Sequence, residues 1–335
     1  MRLSVLDQSP VVDGHSPAEA VRRTVELARE TEAMGYHRFW LAEHHATRAL
    51  ADPCPEILLT RVASATSRIR VGTGGVLLPY YSSLKVAEVF RMLEALFPGR
   101  VDLGIGRAPG SDGLTARVLS GGAFYDFEQF PVHVQETVAF LDGTLPPDHP
   151  YARVFAMPAG TGAPEVWLLG SSDYSASLSA WLGLRFAFAH FISADGGAQV
   201  TRAYRESYRA SVREPQPRSL LAVMALCAPT DAEAERLASV VDLRRVQMAR
   251  GVDAAIATTD QALARALTPE EKAIAQRERP RLLAGSPERV LARIQALAEE
   301  FQADEVMVLT IAGDYGARLR SYELLARAAR MPAAA

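Results

Sequence analysis

The sequence predicts a (β/α)8 barrel, the TIM-barrel fold, on three observations. Short β-branched or apolar runs alternate with amphipathic helical stretches, which is typical of a parallel sheet covered by helices. Eight strand candidates can be placed along the 335 residues, a length that suits one barrel. No GxGxxG turn follows the first strand, which argues against an open dinucleotide-binding sheet. We therefore predict one domain over residues 1–335, with an insertion at about 231–284 before the last βα unit.

The first four βα units follow this alternation closely. The first strand is predicted at 3–6, and Pro17 begins a helix that ends at Gly35, since Pro suits the first helical position and Gly the left-handed cap. Further strands are predicted at 39–42, 69–77 and 101–105, with helices at 55–65 and 84–96 between them. The third strand is unusual because it contains Gly72, Gly74 and Gly75, which weaken a strand unless they serve a purpose.

The later units are less regular. A helix is predicted at 127–141, followed by a Pro- and Gly-rich link at 146–164 and a helix at 173–182. The remaining strands are predicted at 166–169, 186–189, 220–227 and 305–310. The stretch 231–284 is too long for one helix and contains the helix-start signal of Thr268 and Pro269, so it is predicted to be an insertion that forms a lid or a dimer contact.

Composition narrows the class of protein. The formal net charge is −3 and the 36 basic residues are scattered, which argues against nucleic-acid or anionic-membrane binding. Cys54 and Cys227 match no disulfide or metal spacing, and neither a secretory leader nor a membrane span is indicated. We therefore expect a cytoplasmic protein whose partner is a small molecule.

Candidate functional residues follow from the predicted fold, because barrel active sites are built at the carboxyl ends of the strands. The candidates are Gly74 and Gly75, inside the third predicted strand, and the polar residues just past the other strands: Asp7, Gln8, Glu43, His44, His45, Arg107, Ser171, Ser172, Asp173 and His190. Two adjacent histidines beside a glutamate suit acid–base chemistry, although a fully hydrogen-bonded polar cluster is an open alternative. A metal site is a second alternative, and it would need further ligands such as Asp7 or His190.

The segment Gly170–Ser175 is a candidate anion site. It places Ser171, Ser172 and Ser175 where a strand turns into a helix, and free N–H groups at a helix N-terminus favour a phosphate. A simple N-cap is the competing interpretation. Arg107, at a neighbouring strand end, favours the phosphate interpretation because its guanidinium can bind bidentately. Gly74 and Gly75 would let a flat ligand approach the backbone, or would form a β-bulge.

Several of these segments together resemble the bacterial luciferase-like monooxygenases, in the branch that begins with a Leu-Asp-x-Ser-Pro strand. The matching segments are 6–10, 40–45, 71–76, 98–107, 168–172 and 304–308, which span nearly the whole chain. Their shared order makes the resemblance more specific than any one segment.

The resemblance implies a (β/α)8 barrel that uses reduced FMN, or coenzyme F420 in other branches, and activates O2. It implies that His44 is the catalytically important residue, with His45 and Glu43 as neighbours. Cofactor contacts are implied at Arg107, Ser171, Ser172 and Ser175, and we include Asp7, Gly170, Gly74 and Gly75. A non-prolyl cis peptide is implied at Gly74–Gly75, and Ser171 replaces a glutamate of luciferase itself.

The leading hypothesis is an FMN-dependent monooxygenase that incorporates oxygen from O2 into an unidentified small organic substrate. A separate flavin reductase would supply the reduced FMN, and a homodimer is expected. Three alternatives are an F420-dependent oxidoreductase on the same fold, a metal-dependent barrel hydrolase with Asp7, His44, His45 and His190 as ligands, and a flavin-binding protein without turnover.

Overall fold

A closed barrel of eight parallel strands forms the centre of the computed structural model, which describes residues 1–108, 110–122 and 127–332. In the described residues the strands are β1 (Arg2–Asp7), β2 (Arg38–Leu41), β3 (Arg70–Thr73), β4 (Val76–Leu77), β5 (Val101–Gly106), β6 (Glu165–Gly170), β7 (Arg185–Ala189), β8 (Ser219–Cys227), β9 (Leu282–Gly285) and β10 (Glu305–Leu309). The barrel closes because β10 pairs with both β8 and β1, in parallel. The predicted fold class is confirmed.

Helices cover the outside of the barrel and one part of its mouth. They are α1 (Pro17–Ala33), α2 (Pro55–Ala65), α3 (Ser83–Leu96), α4 (Gly113–Leu119), α5 (Phe130–Asp142), α6 (Asp173–Leu182), α7 (Gly197–Glu206), α8 (Asp231–Ala249), α9 (Thr259–Ala264), α10 (Pro269–Glu278), α11 (Pro287–Glu300) and α12 (Tyr315–Ala328). The predicted caps of α1 form, since the Ser16 hydroxyl accepts from the Glu19 N–H and Gly35 has a φ of +86°. No helix of the described residues is long and apolar enough to cross a membrane.

The third predicted strand was wrong as one continuous element. It is divided into β3 and β4 on either side of Gly74–Gly75, whose peptide bond is cis, as the family resemblance implies. Both glycines are required by close packing: a Cβ on Gly75 would lie 2.6 Å from the Gly104 carbonyl oxygen, and one on Gly74 would lie 2.8 Å from Leu6 Cδ1. The chain therefore turns here instead of continuing as a regular strand.

The segment 231–284 contains α8, α9 and α10 and runs into β9, which the sequence did not predict. Strand β9 pairs with the carboxyl-terminal half of β8, over Met224–Cys227, and is not one of the barrel strands. Its apolar run is short, so a periodicity argument cannot separate it from a helix end. Helices α4 and α7 were also missed: α4 has only seven residues, and α7 is amphipathic but begins after Gly196, which provides no capping side chain.

Charged residues fill the amino-terminal end of the barrel. Arg38 is 3% exposed and donates to Asp102, Glu165 and Glu305 at 2.6–3.0 Å. The Arg38 guanidinium also lies over the Trp167 ring, 5.1 Å from its centroid. These contacts join β2, β5, β6 and β10 across the barrel. The open carboxyl-terminal end is left for a ligand.

Candidate active site

A cavity of about 280 Å³ lies at the carboxyl-terminal end of the barrel. Small side chains at inward positions, such as Ala42, Ala187 and Ala222, leave the space open. Trp40 and Met307 form part of its apolar wall. Its polar lining comes from the predicted strand ends: it includes Gln8, Glu43, His44, Gly74, Gly75, Arg107, Gly170, Ser171, Ser172 and Ser175.

His44 lies on the cavity wall, three residues after β2 ends. Burial, together with the fields of His45 and Arg244, lowers the pKa of its imidazole to about 4. The ring is therefore neutral at pH 7. Its Nδ1 is buried and has no well-aligned hydrogen-bond partner among the described residues. The Ala42 backbone acts on the pKa in the opposite direction, since it favours the protonated ring. A neutral imidazole of this kind is able to accept a proton.

Glu43 was predicted to be catalytic, but both oxygens of its carboxylate form hydrogen bonds with other groups of the protein. Its Oε1 accepts from the Tyr81 hydroxyl at 2.7 Å and lies 2.7 Å from His45 Nε2, while Oε2 accepts from the Leu77 N–H at 2.9 Å. The side chain is 3% exposed. Glu43 thus fixes β4, immediately after the cis peptide, to the end of β2.

His45 does not line the cavity. Its ring contacts Glu43 and packs edge-on against Tyr80, with the ring centroids 6.1 Å apart. The His45 backbone N–H donates to the Gly110 carbonyl at 3.2 Å. The structure therefore gives His45 a supporting position behind His44.

The residues of the predicted anion site lie together at the start of α6. Ser172 is its N-cap residue but makes no side-chain cap bond, so the first turn keeps N–H donors for a ligand, apart from the Tyr174 N–H, which donates to Asp173 Oδ1 at 2.9 Å. Ser175 is 4% exposed and faces the cavity, and Gly170 permits this, since a Cβ at Gly170 would lie 2.3 Å from Ser175 Cβ. Ser171 lines the same wall.

Arg107 lies beside this helix start. Its guanidinium stacks over the Tyr174 ring at 4.1 Å from the centroid, and it has no carboxylate partner within the described parts of the chain. Tyr174 holds the guanidinium without neutralising it. Arg107 and the α6 N-terminus together can bind one anionic group.

Asp7 does not reach the cavity, which corrects its predicted role in cofactor binding. It is completely buried, and its Oδ2 accepts from Arg318 Nη2 at 2.8 Å. Its Oδ1 accepts from the Thr24 hydroxyl at 3.1 Å and from the Ser9 N–H. The physical reason is that a buried carboxylate takes the nearest cation, here on α12.

The alternative metal site does not assemble either. Asp7 pairs with Arg318, and His45 with Glu43. His190 packs against Phe301 with ring centroids 5.9 Å apart and lies outside the cavity lining. Among the described residues, no three His, Cys, Asp or Glu side chains are grouped to hold a metal ion.

Three residues around this site are not among the strand-end candidates: Tyr81, Asp52 and Arg244. Asp52 is 4% exposed, and its backbone oxygen accepts from the His44 N–H at 3.0 Å. Burial raises the pKa of its carboxyl to about 7. None of the three directly follows a predicted strand, so the strand-end rule could not find them.

Comparison with known protein families gives one match to a family model. Residues 1–305 match the model described as luciferase-like monooxygenase. Among curated proteins, the chain is 43% identical to the uncharacterised protein YceB of Bacillus subtilis, over 97% of this chain and 98% of the relative. It is 34% identical to the N-acetyl-S-alkylcysteine monooxygenase of the same organism, over 98% of each.

Solved structures share the fold. The structure of apo-MsnO8 superposes with a TM-score of 0.91 at 39% identity, covering 99% of both chains. The oxygenating constituent of 3,6-diketocamphane monooxygenase from Pseudomonas putida, in complex with FMN, gives 0.69 at 18% identity over 98% and 97% of the two chains. An F420-dependent secondary alcohol dehydrogenase with an F420–acetone adduct gives 0.69 at 11%, over 98% of each. At these lower identities the last two show the fold alone.

Proposed function

The chain belongs to the luciferase-like monooxygenase family, and from this premise we propose that it uses reduced FMN and O2 to oxygenate a small organic substrate. One observation carries the proposal. Arg107, which has no carboxylate partner among the described residues, and the start of α6 line the same cavity as the neutral imidazole of His44.

The residues present fit a flavin mononucleotide. The terminal phosphate would be held by Arg107, by the hydroxyls of Ser171 and Ser175, and by N–H groups of the first α6 turn. A flat ring needs a wall without side chains, and Gly74–Gly75 provides one. Arg107 has no carboxylate partner in the described parts of the chain, and a phosphate would supply the missing negative charge.

The chemistry divides between cofactor and protein. Reduced FMN, when bound, supplies the electrons that activate O2. His44 holds a basic nitrogen inside the cavity and can accept or return a proton there, since its neutral form is favoured by burial. Trp40 and Met307 keep that part of the cavity apolar and exclude water.

FMN is favoured over F420 by the charge of the cavity. Of its described lining residues, Arg107 is the one that carries a permanent positive charge, and one cation suits the single terminal phosphate of FMN. F420 carries additional carboxylates on its tail, which would have no cation among these lining residues. The solved relatives include both cofactors, so the experiment below tests both.

Three further points belong to the proposal. No GxGxxG turn of the dinucleotide-binding kind is present in the sequence, so a separate reductase would supply the reduced FMN. A homodimer and a cytoplasmic setting stay predictions.

Anaerobic equilibrium dialysis tests the cofactor. Wild-type protein is titrated with reduced FMN and, separately, with reduced F420, beside Arg107→Ala and Arg327→Ala, whose arginine is exposed on α12. We expect reduced FMN to bind more tightly, and Arg107→Ala to lose at least about tenfold in affinity, since a charge-assisted contact is worth about 1.5–3 kcal/mol. Arg327→Ala should bind like wild type. Failure of wild type to bind either cofactor contradicts the proposal.

Stopped-flow reoxidation tests His44. Reduced FMN bound to wild type or to His44→Gln is mixed with O2, and flavin absorbance is followed. We expect His44→Gln to bind reduced FMN with unchanged affinity but to reoxidise it with a different rate and pH profile. If wild type and His44→Gln gave identical time courses, His44 would have no role in reoxidation, and a flavin-binding protein without turnover would be favoured.

A further inference from the structure

A second positive charge lies near the cavity, on the insertion helix α8. Arg244 is half-buried, and no hydrogen bond or ion pair to it exists among the described residues. Burial lowers the pKa of its guanidinium, with only the field of Asp253 acting in the opposite direction. A desolvated cation without a bound partner is unusual, because buried charges are normally paired.

Helical geometry places Arg244 on the face of α8 that covers the barrel. Leu237, Val240 and Val241 precede it by seven, four and three residues, and all three are buried. They belong to the same apolar cluster as Ala42, which lines the cavity. The Arg244 side chain therefore starts from the face that points to the cavity end of the barrel.

The carboxylate whose field acts on Arg244 is that of Asp253, and within the described residues it forms hydrogen bonds with other groups and no ion pair with Arg244. Asp253 accepts from the Thr47 hydroxyl at 2.7 Å and from the Arg48 N–H at 2.9 Å. These contacts fix the loop that follows His45. The guanidinium of Arg244 is left positive, and its field reaches His44.

Arg244 and the predicted phosphate site lie on different elements of the barrel mouth. Arg107 and Ser171 follow β5 and β6, whereas α8 follows β8 and its surroundings include the residues after β2. Around the closed barrel only β7 lies between β8 and β6, but Arg244 is not among the residues that line the cavity together with Arg107, Ser171 and Ser175. A cofactor phosphate bound at Arg107 would leave Arg244 unpaired.

We propose that Arg244 recognises the carboxylate of an anionic organic substrate, positioning its reacting end beside His44. This inference rests on the proposed function and specifies its substrate class. The bidentate geometry of guanidinium and carboxylate supplies orientation as well as affinity. The remainder of the substrate would lie in the apolar part of the cavity, against Met307 and Leu220.

Paired ligands test the proposal by calorimetry. Straight-chain carboxylates from acetate to octanoate are compared with the primary amides of the same carbon skeletons, on protein saturated with FMN. The proteins are wild type, Arg244→Gln, and Arg236→Gln as a matched control, since Arg236 lies on the exposed face of α8. Thermal unfolding of each variant checks that it folds.

We expect wild type and Arg236→Gln to bind at least one carboxylate about tenfold or more tightly than its amide, because a charge-assisted bond replaces a neutral one. Arg244→Gln should bind both members of that pair within about twofold. Equal binding of acids and amides by wild type, absence of carboxylate binding at millimolar concentration, or a preference that survives Arg244→Gln would each overturn the proposal.

A repeat on flavin-free Arg107→Ala separates this proposal from the proposed function. That variant lacks the other anion site, so any carboxylate preference must come from elsewhere. If FMN fails to bind but an Arg244-dependent preference persists, only the proposed function fails. If FMN binds and the preference is absent, only the substrate assignment fails.

Discussion

His44 is half-buried with a buried Nδ1, Asp52 is buried in the same loop, and for both side chains the folded protein favours the neutral form. Burial lowers the pKa of His44 to about 4 and raises the pKa of Asp52 to about 7. A hydrogen bond from the His44 N–H to the Asp52 carbonyl joins the two residues, and Asp52 Oδ2 lacks a partner among the described residues. As pH rises, the protonation of His44 and that of Asp52 therefore change the free energy of unfolding in opposite directions.

The direction of each pH effect follows from comparing the pKa of the folded protein with that of the unfolded chain. The unfolded chain protonates His44 near its ordinary pKa of 6.5, so its contribution to stability is complete above that value and is lost as pH falls towards about 4. Asp52 has an ordinary value of 3.8, so its contribution is complete below that value and is lost as pH rises towards about 7. Between those limits the two contributions cancel in part.

We predict that Asp52→Asn gains stability over wild type as pH rises from about 5 to about 8, by an amount on the order of a few kcal/mol. The amide has no charged form to bury, so the cost of ionising Asp52 disappears. Urea unfolding at both pH values measures the difference. Asp260→Asn is the control, since that side chain is 96% exposed. A difference that does not change with pH would show that Asp52 is ionised without penalty.

At the scale of elements, the start of α6 depends on one glycine. Gly170 ends β6, and Ser175 packs directly over it with no room for a Cβ. This contact brings the first turn of α6 against the strand end, where its N–H groups meet the cavity. The predicted phosphate contacts therefore rely on close packing between β6 and α6.

We predict that Gly170→Ala weakens reduced-FMN binding by about tenfold or more and lowers the free energy of unfolding by about 1–3 kcal/mol, because the new methyl group must displace Ser175. Equilibrium dialysis and urea unfolding measure the two effects. Gly113→Ala is the matched control, since a Cβ there meets nothing within 4 Å. Unchanged FMN affinity in Gly170→Ala would mean that the α6 start does not hold the cofactor.

At the scale of the whole molecule, Arg38 connects strands that are far apart in the chain. It contacts Asp102 on β5, Glu165 on β6 and Glu305 on β10. Arg70 shares Asp102, so the network has more than one cation. These bonds neutralise carboxylates inside the closed end of the barrel, where unpaired charge is costly.

We predict that Arg38→Met lowers the free energy of unfolding by about 3–5 kcal/mol, since it leaves buried carboxylates with too few cations. The surface pair of Arg320 and Glu323 on α12 provides the control, and Arg320→Met should cost less than about 1 kcal/mol. Urea titrations of both variants give the comparison. Similar losses in the two variants would indicate that the barrel network contributes no more than a surface pair.

The sequence by itself determined the barrel fold and indicated the end of the barrel, the carboxyl-terminal one, at which the candidate active site lies. Alternating apolar runs and helix caps locate the eight barrel strands, and the carboxyl ends of those strands then select His44, Arg107, Ser171 and Ser175. These features are local: each depends on a pattern within one βα unit. For that reason they could be predicted without knowing which strands are neighbours.

Only the tertiary structure decided which polar groups are free to act. Asp7 pairs with Arg318, 311 residues away in the sequence, and Glu43 is engaged by Leu77 and Tyr81, more than thirty residues beyond it. Arg244 is distinguished by the absence of such a partner among the described residues. Whether a buried charge is satisfied depends on contacts between distant segments, and a local pattern carries no information about those contacts.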